Sequence, residues 1–272
     1  MPLLAGYMVP HPPIAVKEIG RGEELKIADT LASFDEVAAD IAMIKPDTII
    51  LTSPHSILYR DYFHISPGKN AIGDFSRFGA RSVTFSAEYD TELVGAISAV
   101  AESMGIQAGT EGECDPLLDH GTTVPMYFIN KRYTNYKLVR IGLSGFSLQT
   151  HYDFGKAIRK AIDKTGRRVV FVASGDLSHC QLEDGPYGYQ KEGPVYDEKI
   201  MSVMGKGDFK TLLDFDEGLL DASMECGHRS FTIMGGAFDS TRFSTKQLSH
   251  EATFGVGYGF CIYHTESILS EK

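Results

Sequence analysis

Histidines at the ends of predicted strands are the residues of this chain best suited to chemistry. His11 lies in the segment Val-Pro-His-Pro-Pro and His55 in Ser-Pro-His-Ser, and each follows a short β-type run. The prolines beside them block continuation of a strand or a helix. Parallel strands that end this way would place both imidazoles at the sheet edge where open α/β sheets bind ligands. Two neutral imidazoles at one cleft are half of a metal site, so the pattern indicates a metalloenzyme.

Three further residues with acid–base or ligand chemistry lie near predicted element ends. His179 follows an apolar run in Ala-Ser-Gly-Asp-Leu-Ser-His, and His120 opens a helix in Leu-Asp-His-Gly-Thr. Glu225, in Ser-Met-Glu-Cys-Gly-His, begins a segment that continues with helical, apolar spacing. Two histidines and one carboxylate form the facial triad of non-haem Fe(II) oxygenases, which leaves coordination positions open. Additional imidazoles are suited to acid–base work near pH 7.

The elements that must position these residues alternate between strands and helices. Apolar periodicity predicts strands over residues 3–9, 48–52, 81–86, 136–143, 167–173 and 253–263. It predicts helices over 27–44, 91–104, 120–132 and 151–164, and two helices between residue 193 and the closing strand, with helical spacing over 225–238. Residues 54–80, rich in Gly, Pro, Asn and Ser, read as a long loop. The alternation predicts one α/β domain over residues 1–272, doubly wound, with a largely parallel or mixed central sheet and helices on both faces.

Composition excludes several classes of partner. The 272 residues carry 26 basic and 36 acidic side chains, a net charge of −10, which argues against nucleic acid or an anionic membrane surface. The four cysteines are scattered without a Cys-x-x-Cys pair, which favours a reducing compartment. The sequence shows neither a signal-peptide pattern nor an apolar run of about 18 residues. We therefore expect a cytoplasmic protein with no nucleic-acid or membrane partner.

The ordered motifs resemble the class III extradiol dioxygenase superfamily, which has the fold of the protocatechuate 4,5-dioxygenase catalytic subunit, and within it the Memo-like branch. The shared segments are Val-Pro-His-Pro-Pro, Ser-Pro-His, Asp-His-Gly, Ser-Gly-Asp-Leu-Ser-His and Glu-Cys-Gly, in the family's order along nearly the whole chain. The resemblance implies that His11, His55 and Glu225 bind Fe(II), that His179 deprotonates the substrate, and that His120 assists as an acid. It also implies a small aromatic, catechol-like substrate, O₂ as co-substrate, and a homo-oligomer.

One position leaves the chemistry open. Memo proteins have a cysteine before the glycine where dioxygenases place the glutamate, and this chain has both Glu225 and Cys226. A thiolate ligand would favour copper or redox chemistry over O₂ activation. The alternatives to an extradiol dioxygenase are therefore a Memo-like protein that binds metal or peptide or acts in redox chemistry, and a zinc-dependent hydrolase on the same scaffold.

Ordinary structural roles compete with each of these predictions. The histidines could bond only to nearby backbone, and Glu225 could be a first-turn acid stabilised by the helix dipole. The aromatic residues of the long loop could pack locally or wall an aromatic pocket; they are Tyr59, Tyr62, Phe63, Phe75 and Phe78. Convergence of His11, His55 and Glu225 on one point, with His179 facing the same cavity, is the geometric expectation that a metal site imposes.

Overall fold

An eight-stranded mixed sheet organises the structure, a computed structural model that describes residues 3–266. The strands are β1 (Leu3–Val9), β2 (Thr48–Ser53), β3 (Phe63–His64), β4 (Asn70–Phe75), β5 (Ala80–Tyr89), β6 (Ala108–Gly109), β7 (Lys137–Gly142), β8 (Val169–Ser174), β9 (Phe243–Glu251) and β10 (Tyr258–Thr265). The helices are α1 (Lys17–Gly20), α2 (Ala28–Ile44), α3 (Thr91–Ser103), α4 (His120–Ile129), α5 (Leu148–Thr165), α6 (Glu192–Lys206), α7 (Glu217–Ser223) and α8 (His228–Ala237).

The strand order confirms the predicted doubly wound, mixed sheet. It runs β4-β5-β7-β2-β8-β1-β10-β9, and the five strands from β5 to β1 are mutually parallel. Antiparallel pairing adds β4 at one edge and β10 with β9 at the other. Strands β1 and β2 flank β8 with closely matched registers, so their carboxyl ends lie side by side. The first two predicted histidines thus leave the sheet on either side of the same central strand.

Helices cover both faces of the sheet and create two apolar cores. Helices α2 and α4 pack on one face, where Phe34 and Phe128 stack with ring centroids 4.0 Å apart. Helices α3, α5, α6 and α8 pack on the other face. Strands β1, β2 and β8 are buried along their whole length, which explains why their sequences are apolar on both sides. No helix within residues 3–266 combines the length and apolarity needed to cross a bilayer.

Two strands of the eight-stranded sheet escaped prediction because their sequences lack the apolar pattern of the central strands, as did the two-residue strands β3 and β6, which pair with each other. β4 lies inside the stretch 54–80 that was predicted to be a loop, and it contains Asn, Gly and Asp, which are depleted in strands. β9 is a polar edge strand whose side chains are mostly exposed. Both are antiparallel to their neighbours, so pairing with β5 and β10 supplies what local propensity does not. The predicted closing strand, 253–263, begins later and ends later, as β10.

Close packing of α5 against α8 fixes the helix that carries the last part of the site. A Cβ atom on Gly155 would lie 2.0 Å from the carbonyl oxygen of Ile233, and one on Gly236 would lie 1.9 Å from that of Tyr152. Neither position has room for a side chain, so the two backbones meet directly. This contact fixes the C-terminal half of α8 against α5.

Substituting Gly155 by alanine tests this contact. We expect Gly155→Ala to lower the free energy of unfolding by about 2 kcal/mol or more, because the new methyl group must displace backbone. Gly95, in α3, has nothing within 4 Å of its ideal Cβ position and is the matched control. Gly95→Ala should be neutral or stabilise by up to about 1 kcal/mol. Urea unfolding followed by circular dichroism measures both, and equal effects of the two substitutions would contradict the packing argument.

Candidate metal centre

The two strand-end histidines meet at the carboxyl edge of the sheet. His11 follows β1 and His55 follows β2, and their Nε2 atoms lie 3.0 Å apart. The His11 side chain is 1% exposed, whereas His55 is open to solvent. The structure thus brings together the first two predicted ligands, with one imidazole buried and the other at the entrance.

Hydrogen bonding fixes the tautomer of His11. The Ser174 hydroxyl donates to the carbonyl oxygen of Gly121 at 2.6 Å, so its only proton is used there. His11 Nδ1 lies 2.9 Å from the same Ser174 oxygen and must therefore be the donor in that contact. Its Nε2 atom consequently carries a free lone pair directed at His55. This is the arrangement that orients a metal-binding imidazole.

The third ligand atom near the pair belongs to Cys226, not to Glu225. Cys226 Sγ lies 3.6 Å from His11 Nε2, and the ligand atoms of His11, His55 and Cys226 all lie within 4.8 Å of one another. Glu225 points elsewhere: its Oε2 accepts the backbone N–H of His228 at 2.6 Å, at the start of α8. The adjacent Met224 adopts a left-handed backbone, φ 54°, at the end of α7. The structure therefore does not bring Glu225 to the histidine pair.

These three atoms fit a metal ion. Zinc and similar ions bind imidazole nitrogen at about 2.0–2.1 Å and thiolate sulfur at about 2.3 Å, so ligand atoms around one ion lie roughly 3–4.4 Å apart. The 3.0 Å and 3.6 Å separations from His11 Nε2 fall in that range, and the separation of His55 from Cys226 is at most 4.8 Å, so a bound ion would draw those two side chains together. Burial, followed by the charges of Asp176 and Glu225, raises the pKa of the Cys226 thiol well above its ordinary value. Without an ion the thiol is therefore protonated, and metal binding there would release a proton.

Asp176 is a site residue that the sequence analysis overlooked. Its Oδ1 accepts the backbone N–H of His11 at 2.7 Å, and its Oδ2 lies 3.8 Å from His11 Nε2. Its own backbone N–H donates to Cys226 Sγ at 3.3 Å. Burial raises the pKa of its carboxyl group to about 7. The signal was present, because Asp176 follows the end of β8 in the same motif that contains His179.

His120 and His179 complete a group of four imidazoles. The His120 ring stacks on His55 with centroids 4.0 Å apart and lies 5.4 Å from the His11 ring. His179 lies in the loop after β8, its Nδ1 is buried without a hydrogen-bond partner, and its ring meets Tyr187 at 5.7 Å. It is close enough to His11 to lower the pKa of that ring, and His55 in turn lowers the pKa of His179. The structure thus brings His11, His55 and His120 into mutual ring contact and places His179 on the neighbouring loop after β8.

Burial keeps these imidazoles neutral. It lowers the pKa of His11 well below its ordinary value, with further lowering from His55, His120 and His179. Burial and the neighbouring His55 lower the pKa of His120 to about 4. Burial also lowers the pKa values of His55 and His179. Neutral rings present lone pairs to a cation, whereas protonated rings would repel it and one another.

A cavity of about 340 Å³ opens beside His55 and His120. Its wall includes Phe78, Leu117 and Leu118. Phe78 is the one aromatic of the long loop that lines it; Phe63 and Phe75 are buried in the two cores. A larger, open cavity of about 860 Å³ lies near the opposite ends of β2 and β7, far along the strands from the histidines. Of these two cavities, the smaller one adjoins His55 and so borders the candidate ligand atoms.

Comparison with known protein families identifies the family to which this chain belongs. Residues 5–261 match the profile described as the catalytic LigB subunit of aromatic ring-opening dioxygenase. The chain belongs to the LigB family, within the class III extradiol dioxygenase superfamily, as its motifs indicated. It is 38% identical over 266 residues to a Clostridium acetobutylicum protein known by its locus name alone, and the match covers 95% of this chain and 57% of that protein. The chain therefore spans little more than half of that relative.

More distant relatives divide between two kinds of protein. The chain is 25% identical to the 2-aminophenol 1,6-dioxygenase beta subunit of a Pseudomonas species, over 94% of this chain and 92% of that one. It is 26% identical to a MEMO1 family protein of Pyrobaculum aerophilum, over 43% of each chain. A solved structure of an uncharacterized Escherichia coli K12 protein shares the fold, with a TM-score of 0.64 and 12% identity, over 95% of this chain and 99% of that one.

The hydrogen-bond chain through Ser174 can be tested by metal binding. Ser174→Ala removes the acceptor for His11 Nδ1–H and should lower affinity for Zn(II) by about 10- to 100-fold, the usual effect of losing such a partner. Competition with a chromophoric chelator measures the change. Ser230→Ala is the control, because Ser230 is equally buried but pairs with Thr52 instead of a histidine. Unchanged zinc affinity in Ser174→Ala would show that the hydrogen bond between His11 Nδ1–H and Ser174 does not support metal binding.

The position of Glu225 predicts a pH dependence of stability. Burial raises the pKa of its carboxyl to about 7, whereas an unfolded glutamate titrates near about 4.3. The stabilisation from this group is therefore complete below about pH 4 and is lost as the pH rises through about 7. In metal-free protein, the stability advantage of wild type over Glu225→Gln should shrink by up to about 3 kcal/mol between pH 4.5 and 7.5.

A surface glutamate provides the control for that experiment. Glu217 is exposed in the first turn of α7. Glu217→Gln should leave the pH dependence of unfolding unchanged, measured by urea denaturation at each pH. A difference between wild type and Glu225→Gln that stays constant with pH would contradict the burial of the Glu225 carboxyl.

Proposed function

We propose that this chain is a metal-dependent oxidoreductase that holds its ion between His11, His55 and Cys226 and opens the ring of a catechol-like aromatic with O₂. The observation that carries the proposal is the convergence of these three ligand atoms within 4.8 Å, beneath a small cavity and beside two further imidazoles. Membership of the LigB family supports the reaction type. Fe(II) is the proposed ion, and the thiol leaves copper and zinc as alternatives.

When bound, the ion would supply open coordination positions and electrons for the reaction between a catecholate and O₂. The protein's own residues would do the proton chemistry. Burial lowers the pKa of His179, which lies close to His11 and His55, so its neutral ring is the proposed acceptor for a proton from a substrate hydroxyl. His120 is neutral above about pH 4, so it begins as a hydrogen-bond donor and can act as an acid only after it has gained a proton.

The surroundings of the site suit a small substrate. A cavity of about 340 Å³ lies at the lower end of the range for small-molecule sites and is too small for a folded partner. Phe78 contacts the His120 ring at 5.4 Å between centroids and supplies an aromatic wall. A planar ring could lie against this wall, beside His55 and His120.

A second candidate function rests on Cys226. A thiolate in place of a carboxylate favours copper or electron-transfer chemistry. The MEMO1 family relative supports a Memo-like protein that uses the same centre for metal binding or redox chemistry without opening a ring. Under this alternative the metal site persists and catechols are not consumed.

Oxygen consumption separates the two candidates. Protein loaded anaerobically with Fe(II) should consume O₂ with at least one member of a catechol panel and yield a yellow ring-opened product. His179→Ala should retain iron and lose at least about 100-fold in rate, because it removes the proposed base. His264→Ala, which removes an imidazole bonded to Asp40 at the far end of β10, is the control. Iron-loaded protein that consumes no O₂ with any catechol would rule out the first function and leave the second.

A further inference from the structure

The position of His179 depends on the turn that contains it. This turn, residues 176–180, follows β8 and is called the His179 turn below. Two backbone hydrogen bonds pair it with the segment before β10: the N–H of Leu177 donates to the Gly257 carbonyl, and the N–H of Gly257 donates to the Ser178 carbonyl, each at 2.8 Å. Backbone pairing therefore holds one side of the His179 turn before any side chain contributes.

A buried carboxylate adds a contact that backbone pairing does not supply. Asp197, in α6, is 1% exposed, and its Oδ1 accepts the backbone N–H of Ser178 at 2.9 Å, one residue before His179. The carboxylate lies so close to the neighbouring backbone that a Cβ atom on Gly257 would lie 1.9 Å from Asp197 Oδ2. The absence of a side chain at position 257 therefore gives the carboxylate its place beside the His179 turn.

His250, on β9, completes the surroundings of this carboxylate. Its Nε2 lies 2.7 Å from Asp197 Oδ2, and an ionised carboxylate can only accept, so the imidazole is the donor. Burial raises the pKa of the Asp197 carboxyl, whereas the bonds from His250 and Ser178 lower it, so both contacts favour the ionised form. The two donors offset the cost of a buried charge. The His250 side chain is 33% exposed, so the pair extends from the protein surface to the His179 turn.

We propose that Asp197, supported by His250, is a positioning residue that sets the orientation in which His179 faces the site. Its hydrogen bond fixes the peptide group of Ser178 and so limits the directions in which the next side chain can leave the backbone. The inference rests on the proposed function, in which His179 accepts a proton from the substrate. A base held in one orientation stays within reach of that proton, and a displacement of about 1 Å can cost about 100-fold in rate.

The imidazole signals of His179 in nuclear magnetic resonance spectra test the proposal without turnover. The full chain is prepared with isotopically labelled histidine and loaded with Zn(II), and the His179 signals, among those of nine histidines, are identified by their loss in His179→Gln. Asp197→Ala should shift or broaden these signals, because it leaves the buried Ser178 N–H without its acceptor. Affinity for Zn(II) should stay unchanged, because the partners of Asp197 are Ser178 and His250.

Turnover supplies a second readout. With Fe(II)-loaded protein and a catechol that the wild type consumes, Asp197→Ala should lower kcat by about 10- to 100-fold and leave KM nearly unchanged, because it displaces a base without removing a group that binds the ring. His250→Gln should retain most of the rate, since a side-chain amide can replace the imidazole as donor to the carboxylate. The rate of His250→Ala should fall between the rates of His250→Gln and Asp197→Ala.

A second buried pair of the same chemistry provides the control for lost stability. Asp40, in α2, accepts the Tyr7 hydroxyl and lies 2.7 Å from His264 Nε2, so it joins α2 to β1 and β10. Asp40→Ala should lower the free energy of unfolding, as Asp197→Ala does, but leave the His179 signals and kcat unchanged. If the two substitutions change the His179 signals equally, the effect is one of general stability and the proposal falls.

A variant at the exposed end of the pair keeps the proposal testable if Asp197→Ala does not fold. His250→Ala removes a partly exposed side chain from an edge strand and leaves the carboxylate in place. Its spectrum should show the His179 signals shifted in the same direction, by a smaller amount. Unchanged His179 signals in His250→Ala would overturn the proposal.

The failure of this inference is distinguishable from failure of the proposed function. His179 signals that depend on Asp197, in a protein that consumes O₂ with no catechol, would uphold the positioning role and reject the dioxygenase. Catechol consumption with the same kcat in wild type and Asp197→Ala would uphold the dioxygenase and reject the positioning role.

Discussion

The site depends on the approach of two imidazoles to 3.0 Å at the carboxyl ends of β1 and β2. This approach is unfavourable for charged rings and leaves neutral rings poised to bind a cation. It is imposed by the sheet, because the two strands flank β8 and end level with it. The prolines around each histidine stop the strands at that level. A small movement of either strand end would separate the rings of His11 and His55, so that they could no longer bind one ion together.

Hydrogen bonds with Ser174 and Asp176 hold the His11 ring and the Cys226 thiol in place. The chain from His11 through Ser174 to the Gly121 carbonyl connects β1 and β8 to the start of α4. Asp176, in the loop after β8, accepts a hydrogen bond from the backbone N–H of His11 and donates its own backbone N–H to Cys226 Sγ. A direct backbone contact between Gly175 and Gly227, where a Cβ on Gly175 would lie 2.1 Å from the Gly227 Cα, then holds the Cys226 segment against the end of β8. One network of hydrogen bonds thus determines the tautomer of His11 and the position of the Cys226 thiol, and it ties the start of α4 to the site.

The sequence predicted the central part of this architecture because burial on both faces leaves a strong signal. Strands β1, β2 and β8 are continuous apolar runs, and the segments that follow them contain His11, His55 and His179, respectively. The edge strands β4 and β9 could not be found this way, since pairing and not hydrophobicity makes them strands. The choice between Glu225 and Cys226 was equally beyond the sequence. Two adjacent side chains point in different directions: Cys226 faces His11, whereas Glu225 accepts the backbone N–H of His228 at the start of α8.

The central claim is that the metal is held by two imidazoles and one thiolate. X-ray absorption spectroscopy of protein purified without added metal, or loaded with Fe(II) or Zn(II), tests it directly. The structure predicts one sulfur scatterer at about 2.3 Å and two imidazole nitrogens at about 2.0–2.1 Å, with the sulfur lost in Cys226→Ser and retained in Glu225→Gln. A first shell of nitrogen and oxygen without sulfur, altered by Glu225→Gln and not by Cys226→Ser, would contradict it.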